Sequence, residues 1–440
     1  MKERASLVDK GFWSSGHWPT LLTALLYFDF CFAVWVLNGA MAPFISQDFG
    51  LTPAEKGFMV SVPVFAGALM RFPLGVLAQY IGRKWAAQLE MGTICAALVV
   101  GYYFVDSYKG VLAMGVMLGI AGASFGVALS LGSGWYPPRY KGLAMGIAGA
   151  GNSGAVLAVL FAPPLAAQYG WKTVYGLSII PMALAMLLLG LFAKEPLDQE
   201  KKPLGDYLKV LVDRDAWIFN LLYMLTFGGY IGLTSFLPTL FHDHYGIPKA
   251  EIGRYSAVII VMASILRIGG GWLADRLGGI RLLRWLSVAI VVCTAAAAAL
   301  PSNPWVMVAI LVLCFSAMGA GNGAVFQLVP LRFPLTTAVA GSLIGEVGAL
   351  AGGFLPNAMG LGKQYMGSFT PGFLSGTLLA VCVLISLKLV MKSWTTTWVG
   401  EGGVALPERR HREPLDRAGL PGETRGPRRE HPACEPRSIP

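Results

Sequence analysis

The stretch "GALMRFPLGVLAQYIGRK", residues 67–84, is apolar over most of its length, yet it carries Arg71 eleven residues before Gly82. At 1.5 Å per residue the guanidinium lies about 16 Å from the near helix end, close to the middle of a hydrocarbon core about 30 Å thick. An arginine there costs roughly 2.5–3.5 kcal/mol on insertion scales. It is too deep to reach water easily along its own stem. The residue needs a reason to be there, and the rest of the chain supplies one.

The surrounding composition is that of a membrane protein. Of 440 residues, 55% are hydrophobic and only 13% charged, and the mean hydropathy is +0.60. A soluble chain carries about 25% charged residues. Apolar runs of about 20 residues recur at 21–43, 57–80, 86–105, 111–133, 143–168, 173–193, 216–240, 253–275, 283–301, 305–329, 336–361 and 372–391. Lipid offers the backbone no hydrogen-bond partners, so these runs are expected to be helices. The expected fold is therefore all-α and polytopic: 12 transmembrane helices in two pseudo-twofold-related bundles of six. The bundles span 1–193 and 216–394, with a linker at 194–215 and a disordered tail at 395–440.

The net charge of +10 does not describe a nucleic-acid surface, because the charges fall in short loops and the tail. If both termini are cytoplasmic, sixteen Lys and Arg outside the tail fall on that side and six on the other. The positive-inside rule favours this orientation. The location expected is a multi-pass plasma membrane, the inner membrane if the source is bacterial. The six cysteines, at 31, 95, 293, 314, 382 and 434, form no C-x-x-C pair and read as packing residues. The first apolar run is too long for a cleavable signal core.

The chain repeats itself. "MRFPLGVLAQYIGR" at 70–83 aligns with "LRIGGGWLADRLGG" at 266–279, matching Arg71 to Arg267 and Gly82 to Gly278. Each segment is the second span of its half. "GASF" at 122–125 echoes "GAVF" at 323–326 in the fourth and tenth spans. Duplicated halves of six spans are a transporter signature, with substrate held between them near the midplane. Two arginines at equal depth, one per half, repel in a shared cavity. An anion between them removes that penalty and gains charge-assisted hydrogen bonds. The blander alternative pairs each arginine with a carboxylate or with helix carbonyls.

Several other residues share this depth: Asn152 in span 5, Phe125 in span 4, Tyr223 and Phe227 on one face of span 7, Asn322 in span 10 and Glu346 in span 11. A planar anion fits between aromatic walls while guanidinium forks hold its edge. "GAGNSG" at 149–154 matches G-x-G-x-x-G, but it lies mid-span with no strand before it, so close helix packing is the better reading. "HDH" at 242–244 is a weak metal signal at a span end, and Asp29 lies near the boundary of span 1. No cofactor and no metal site are expected.

These stretches resemble the major facilitator superfamily. Its loop motif G-x-x-x-D-x-x-G-R appears from Gly75 to Arg83 with Gln79 in place of the acid. The second copy keeps Asp275 but has Gly279 at the arginine position. More narrowly the chain is similar to the nitrate/nitrite porter family in "FDFCFAVWVLNGAMAPFI", "AGAGNSG", "YMLTFGGYIGLTSFLP", "GNGAVFQLVP" and "IGEVGALAGGFLP". The resemblance implies that Arg71 and Arg267 clamp the anion and that Asn152 hydrogen-bonds it. Phe125, Tyr223 and Phe227 would wall the site, and Gly149 and Gly345 would allow close helix approach. Trp35 or Phe32 would supply an aromatic from span 1. Glu346 departs from the small residues expected in span 11.

The function expected is secondary transport of nitrate and nitrite by alternating access, as a monomer in the bilayer. Coupling is either nitrate/nitrite exchange or proton symport, with Glu346 as the candidate proton carrier. The alternatives are a carrier of another small anion such as a carboxylate, or a sensor that binds without transport. An enzyme is disfavoured because no nucleophile–base pair lies at this depth.

Overall fold

The structure is a computed structural model. It describes residues 11–196, 204–334 and 336–406. All regular structure among them is helical. Among the described residues eleven helices are long and apolar enough to cross a membrane: Trp18–Asp48, Pro53–Ile81, Tyr108–Ser133, Tyr140–Tyr169, Trp171–Phe192, Arg214–Asp243, Ile252–Leu277, Gly279–Ala298, Pro304–Arg332, Val339–Met366 and Thr370–Thr397. A twelfth, Arg83–Tyr103, has the length to cross but carries Arg83, Lys84, Gln88 and Glu90. It lies third in order and completes spans 1 to 12. The start of span 1 and the end of span 12 lie at one face of the bundle, called here the terminal face; the opposite face is distal.

The boundaries follow from local chemistry. Span 2 starts at a capping box, in which Thr52 and Glu55 satisfy each other's backbone N–H groups and Pro53 takes the first turn. Spans 2 and 8 end at Gly82 and Gly278, with φ of +93° and +91°, a backbone region that disfavours side chains. The repeat seen in the sequence is thus a repeated turn in space.

The polar stretch at 194–215 is more than a solvated linker. The Glu195 carboxylate accepts from the Arg83 and Lys84 N–H groups, both at 2.8 Å, and so caps span 3. Residues Leu204–Val212 form a helix; residues 197–203 lie outside the described residues. The expected tail also begins late. Span 12 continues to Thr397, and Glu401 pairs with Arg281 at 3.1 Å. A Cβ on Gly278 would lie 2.2 Å from Gly402 O, so this segment covers the turn after span 8. Residues 407–440 lie outside the described residues. Of the cysteines, Cys31, Cys95, Cys293, Cys314 and Cys382 are free thiols.

The halves meet in one compact unit reaching Ala405. On the distal side three helix pairs touch backbone to backbone. A Cβ on Gly39 of span 1 would lie 2.3 Å from Ser235 O of span 7. Gly57 of span 2 would meet Pro356 O of span 11 at 2.5 Å, and Gly253 of span 8 would meet Val159 O of span 5 at 2.2 Å. The 2–11 and 8–5 contacts are related by the pseudo-twofold. Around them Lys56 pairs with Asp243 at 2.6 Å, Lys249 bonds Gln47, and the Ala54 N–H donates to Gln364 at 3.0 Å. Burial, and next the neighbouring Lys56, push the Lys249 ammonium below its usual range. His242 contacts the Ile247 carbonyl at 3.0 Å, so the "HDH" stretch is built into this seal.

Removing the Lys56 ammonium leaves Asp243 without its partner in this seal. Lys56→Met is expected to raise labelling of Thr239→Cys by an impermeant maleimide several-fold. Thr239 is buried one turn before Asp243 on the same face. Unchanged labelling would show that the glycine contacts alone hold the distal side shut.

Candidate anion-binding site

Arg71 is only 4% exposed. Its position is fixed by two carbonyls, one from each half: Nε donates to Gly122 O at 3.0 Å and Nη1 to Gly345 O at 2.6 Å. Gly122 lies in a 3-10 segment, Ile120–Ala123, that interrupts span 4. Gly345 leaves room for the guanidinium, since a Cβ there would lie 3.3 Å from Nη1 and 3.9 Å from the Phe125 ring. The helix-carbonyl alternative is therefore correct for two of the Arg71 nitrogens. Its third nitrogen, Nη2, is buried without a partner, as is Nη1 of Arg267.

Aromatic faces surround the charge. The Arg71 Cζ lies 5.0 Å from the Phe227 ring, 5.4 Å from Trp35 and 5.5 Å from Phe125. The Arg267 Cζ lies 5.2 Å from Phe125. Both arginines thus address the same ring, and the repeat brings them to one place. Each cation–π contact is worth about 0.5–2 kcal/mol, so together they offset much of the insertion cost.

Tyr223 and Phe227 stack at 5.0 Å. Directly after Tyr223 span 7 widens into a π-helical turn, Met224–Gly228. Span 1 contributes Trp35 to the wall. Its Nε1 donates to Pro63 O at 2.8 Å, and Phe32 packs edge-on behind it at 5.3 Å.

One wall residue was not singled out from sequence. Phe326 lies 5.2 Å from Tyr223 and 5.9 Å from Phe125. It is the second-half counterpart of Phe125 in the "GASF"/"GAVF" echo, and that signal identifies it. Asn322 is buried one turn before Phe326, with Oδ1 unpaired. Glu346 follows Gly345 directly, and its Oε2 is enclosed and unpaired. The Tyr223 hydroxyl is likewise unpaired.

The Gly-rich segment of span 5 reads differently in space. Asn152 is buried in a 3-10 segment, Ala150–Ser153. In the orientation that satisfies its neighbours, the amide donates to Gly149 O and Ala150 O at 3.2 Å each. Its backbone carbonyl accepts from the Tyr230 hydroxyl of span 7 at 3.2 Å. Gly149 is not the point of close approach, because a Cβ there would meet only Leu129, at 3.7 Å. Gly151 and Gly154 fill that role against span 1: their Cβ atoms would lie 2.7 Å from Phe28 and 1.7 Å from Asp29 O. The Asp29 carboxylate accepts from Ser153 Oγ at 2.6 Å and so braces this contact. Glu90 of span 3 is a further buried carboxylate at membrane depth, bonded by the Tyr27 hydroxyl inside the first half.

The fold has close parallels among solved transporters. A D-xylose–proton symporter matches with TM-score 0.69 at 13% identity, over 88% of this chain and 99% of that one. A bacterial homologue of the human lysosomal transporter Spinster, inward-facing and unoccupied, matches at 0.68 and 19% identity, over 87% of this chain and 98% of that one. By sequence, the nitrite extrusion protein of Bacillus subtilis is 30% identical over 80% of this chain and 90% of its own length. The probable nitrate/nitrite antiporter NarK1 of Thermus thermophilus is 29% identical over 79% and 85%. The probable nitrate transporter NarT of Staphylococcus haemolyticus is 28% identical over 82% and 94%. Residues 23–362 match the profile of the Major Facilitator Superfamily. A chain with these spans and these relatives is a multi-pass membrane transporter rather than an enzyme, and it belongs to the major facilitator superfamily, within the nitrate/nitrite porter family.

Proposed function

We propose that the protein carries nitrate and nitrite across the membrane by alternating access, with the anion clamped between Arg71 and Arg267. The observation that carries this reading is the shared Phe125 ring, with a guanidinium 5.5 Å away from one half and 5.2 Å away from the other. Each guanidinium keeps a buried N–H group unpaired. Nitrate has three edge oxygens and nitrite two to accept from such groups, and each planar anion has two faces to lie against rings. The names of the relatives point to the same substrates.

In this reading Phe125, Tyr223, Phe227, Trp35 and Phe326 are the walls. Asn322 and the Asn152 region polarise the edges, and Gly345 admits Arg71. The halves, 1–193 and 216–394, rock about the site. The Lys and Arg bias of the loops supports cytoplasmic termini, and in that orientation the sealed distal side faces outward. Substrate enters and leaves as the 1–7, 2–11 and 5–8 contacts open and close.

Counterflow in proteoliposomes tests this. Vesicles loaded with nitrite are expected to accumulate labelled nitrate, and external nitrite to compete. Acetate and formate in tenfold excess are expected to compete weakly. Strong carboxylate competition without nitrate counterflow would move the protein to another anion class.

A further inference from the structure

Glu346 is an odd neighbour for an anion site. Its carboxylate lies on the residue after the one whose carbonyl holds Arg71, and one oxygen is enclosed without a partner. It interacts electrostatically with Arg71, which also feels Arg267. An ionised carboxylate there competes with any anion for the same guanidinium. It also repairs the defect of the empty site, in which two buried cations repel with nothing between them.

We propose that Glu346 stands in for the substrate when the clamp is empty, and that it takes up a proton when the anion arrives. The inference rests on the nitrate reading above. With the carboxylate ionised, the empty pocket holds two positive charges and one negative charge, as it would with an anion bound and the carboxyl neutral. The halves then meet the same electrostatic balance in the loaded and the empty journeys. The empty carrier resets without a return anion, and one proton travels inward with each nitrate. The proton binds the carboxylate on the acidic side as nitrate takes over the arginines. It leaves on the other side when nitrate departs and the carboxylate returns to them. A carrier with the arginines alone lacks this internal anion, so each return would need a substrate and transport would be obligate exchange.

Other titratable groups on helices packed against span 11 are poorly placed for this role. Span 2 presents Arg71 and span 7 presents Tyr223, and Arg267 of span 8 meets Arg71 at the Phe125 ring. Lys56 and Asp243 are bonded to each other in the distal seal. Asp213, Asp215 and Arg332 form ion pairs at the terminal end. Lys388 and Lys392 lie in the last turns of span 12, also toward the terminal end.

The test uses the full chain in proteoliposomes with two assays, nitrate/nitrite exchange and nitrate accumulation driven by an acidic exterior. Wild type is expected to perform both. Glu346→Gln is expected to keep exchange within about threefold and to lose at least tenfold of the pH-driven accumulation. Glu346→Asp is expected to retain part of that accumulation. Unchanged pH-driven accumulation in Glu346→Gln would overturn the proposal. So would loss of both activities in a Gln variant that remains monodisperse in detergent. Wild-type exchange with no response to pH would overturn it while leaving the nitrate reading intact. Absence of wild-type nitrate exchange would overturn that reading itself.

Discussion

Arg71→Lys is expected to lower nitrate counterflow about a hundredfold while leaving the protein folded. The guanidinium serves three masters at once: Gly122 O, Gly345 O and the ring faces of Trp35, Phe125 and Phe227. An ammonium keeps the charge but loses the planar fork, so it cannot hold two carbonyls and still offer an N–H to an anion edge. A hundredfold loss is about 2.7 kcal/mol, within the range for a charge-assisted contact that is broken while buried. Arg267→Lys is expected to cost less, because Arg267 contacts one of the wall rings where Arg71 contacts three. Initial-rate counterflow at fixed protein density measures both. Near-normal transport by Arg71→Lys would remove the clamp from the mechanism.

Gly154→Ala and Gly149→Ala are expected to differ sharply, although the two glycines belong to one motif. At Gly154 a methyl would lie 1.7 Å from Asp29 O, a backbone atom that moves only if span 1 moves. The expected cost is about 3 kcal/mol or more, at the upper end of overpacking penalties. Loss of the monodisperse peak or a large fall in melting temperature would report it. At Gly149 the methyl meets a leucine tip at 3.7 Å, ordinary contact distance. Alanine there is expected to be neutral or slightly stabilising, since it improves helix propensity by up to about 1 kcal/mol. Equal behaviour of the two variants would mean that the packing of spans 1 and 5 is wrong.

That contrast shows where sequence reasoning stops. Spans were legible because apolar runs of membrane length have few alternatives in lipid. The turn glycines Gly82 and Gly278 were legible because the repeat marked them. Arg71, Arg267, Phe125, Tyr223 and Phe227 could be grouped by counting residues from span ends, since a helix converts sequence distance into depth. Rotation about the helix axis is harder to read. Two 3-10 segments and one π turn reset the phase of spans 4, 5 and 7 at the depth of the site. The close approach that the resemblance implies for Gly149 falls to Gly151 and Gly154, within and just after one of these segments. The choice between Phe32 and Trp35 failed for a related reason: they are three residues apart, both buried, and differ only in which one faces Arg71. Glu90 was hidden because a carboxyl bonded to a buried tyrosine leaves no pattern along the chain.

Arg71 belongs to one half by covalent chain and to the other through its 2.6 Å bond to Gly345 O. The strength of the grip and the angle between the halves are consequently not independent variables. An antibody fragment or crystallisation chaperone that fixes a different angle would alter affinity without touching the pocket. Dissociation constants obtained with such reagents would describe the posture in which the molecule was held.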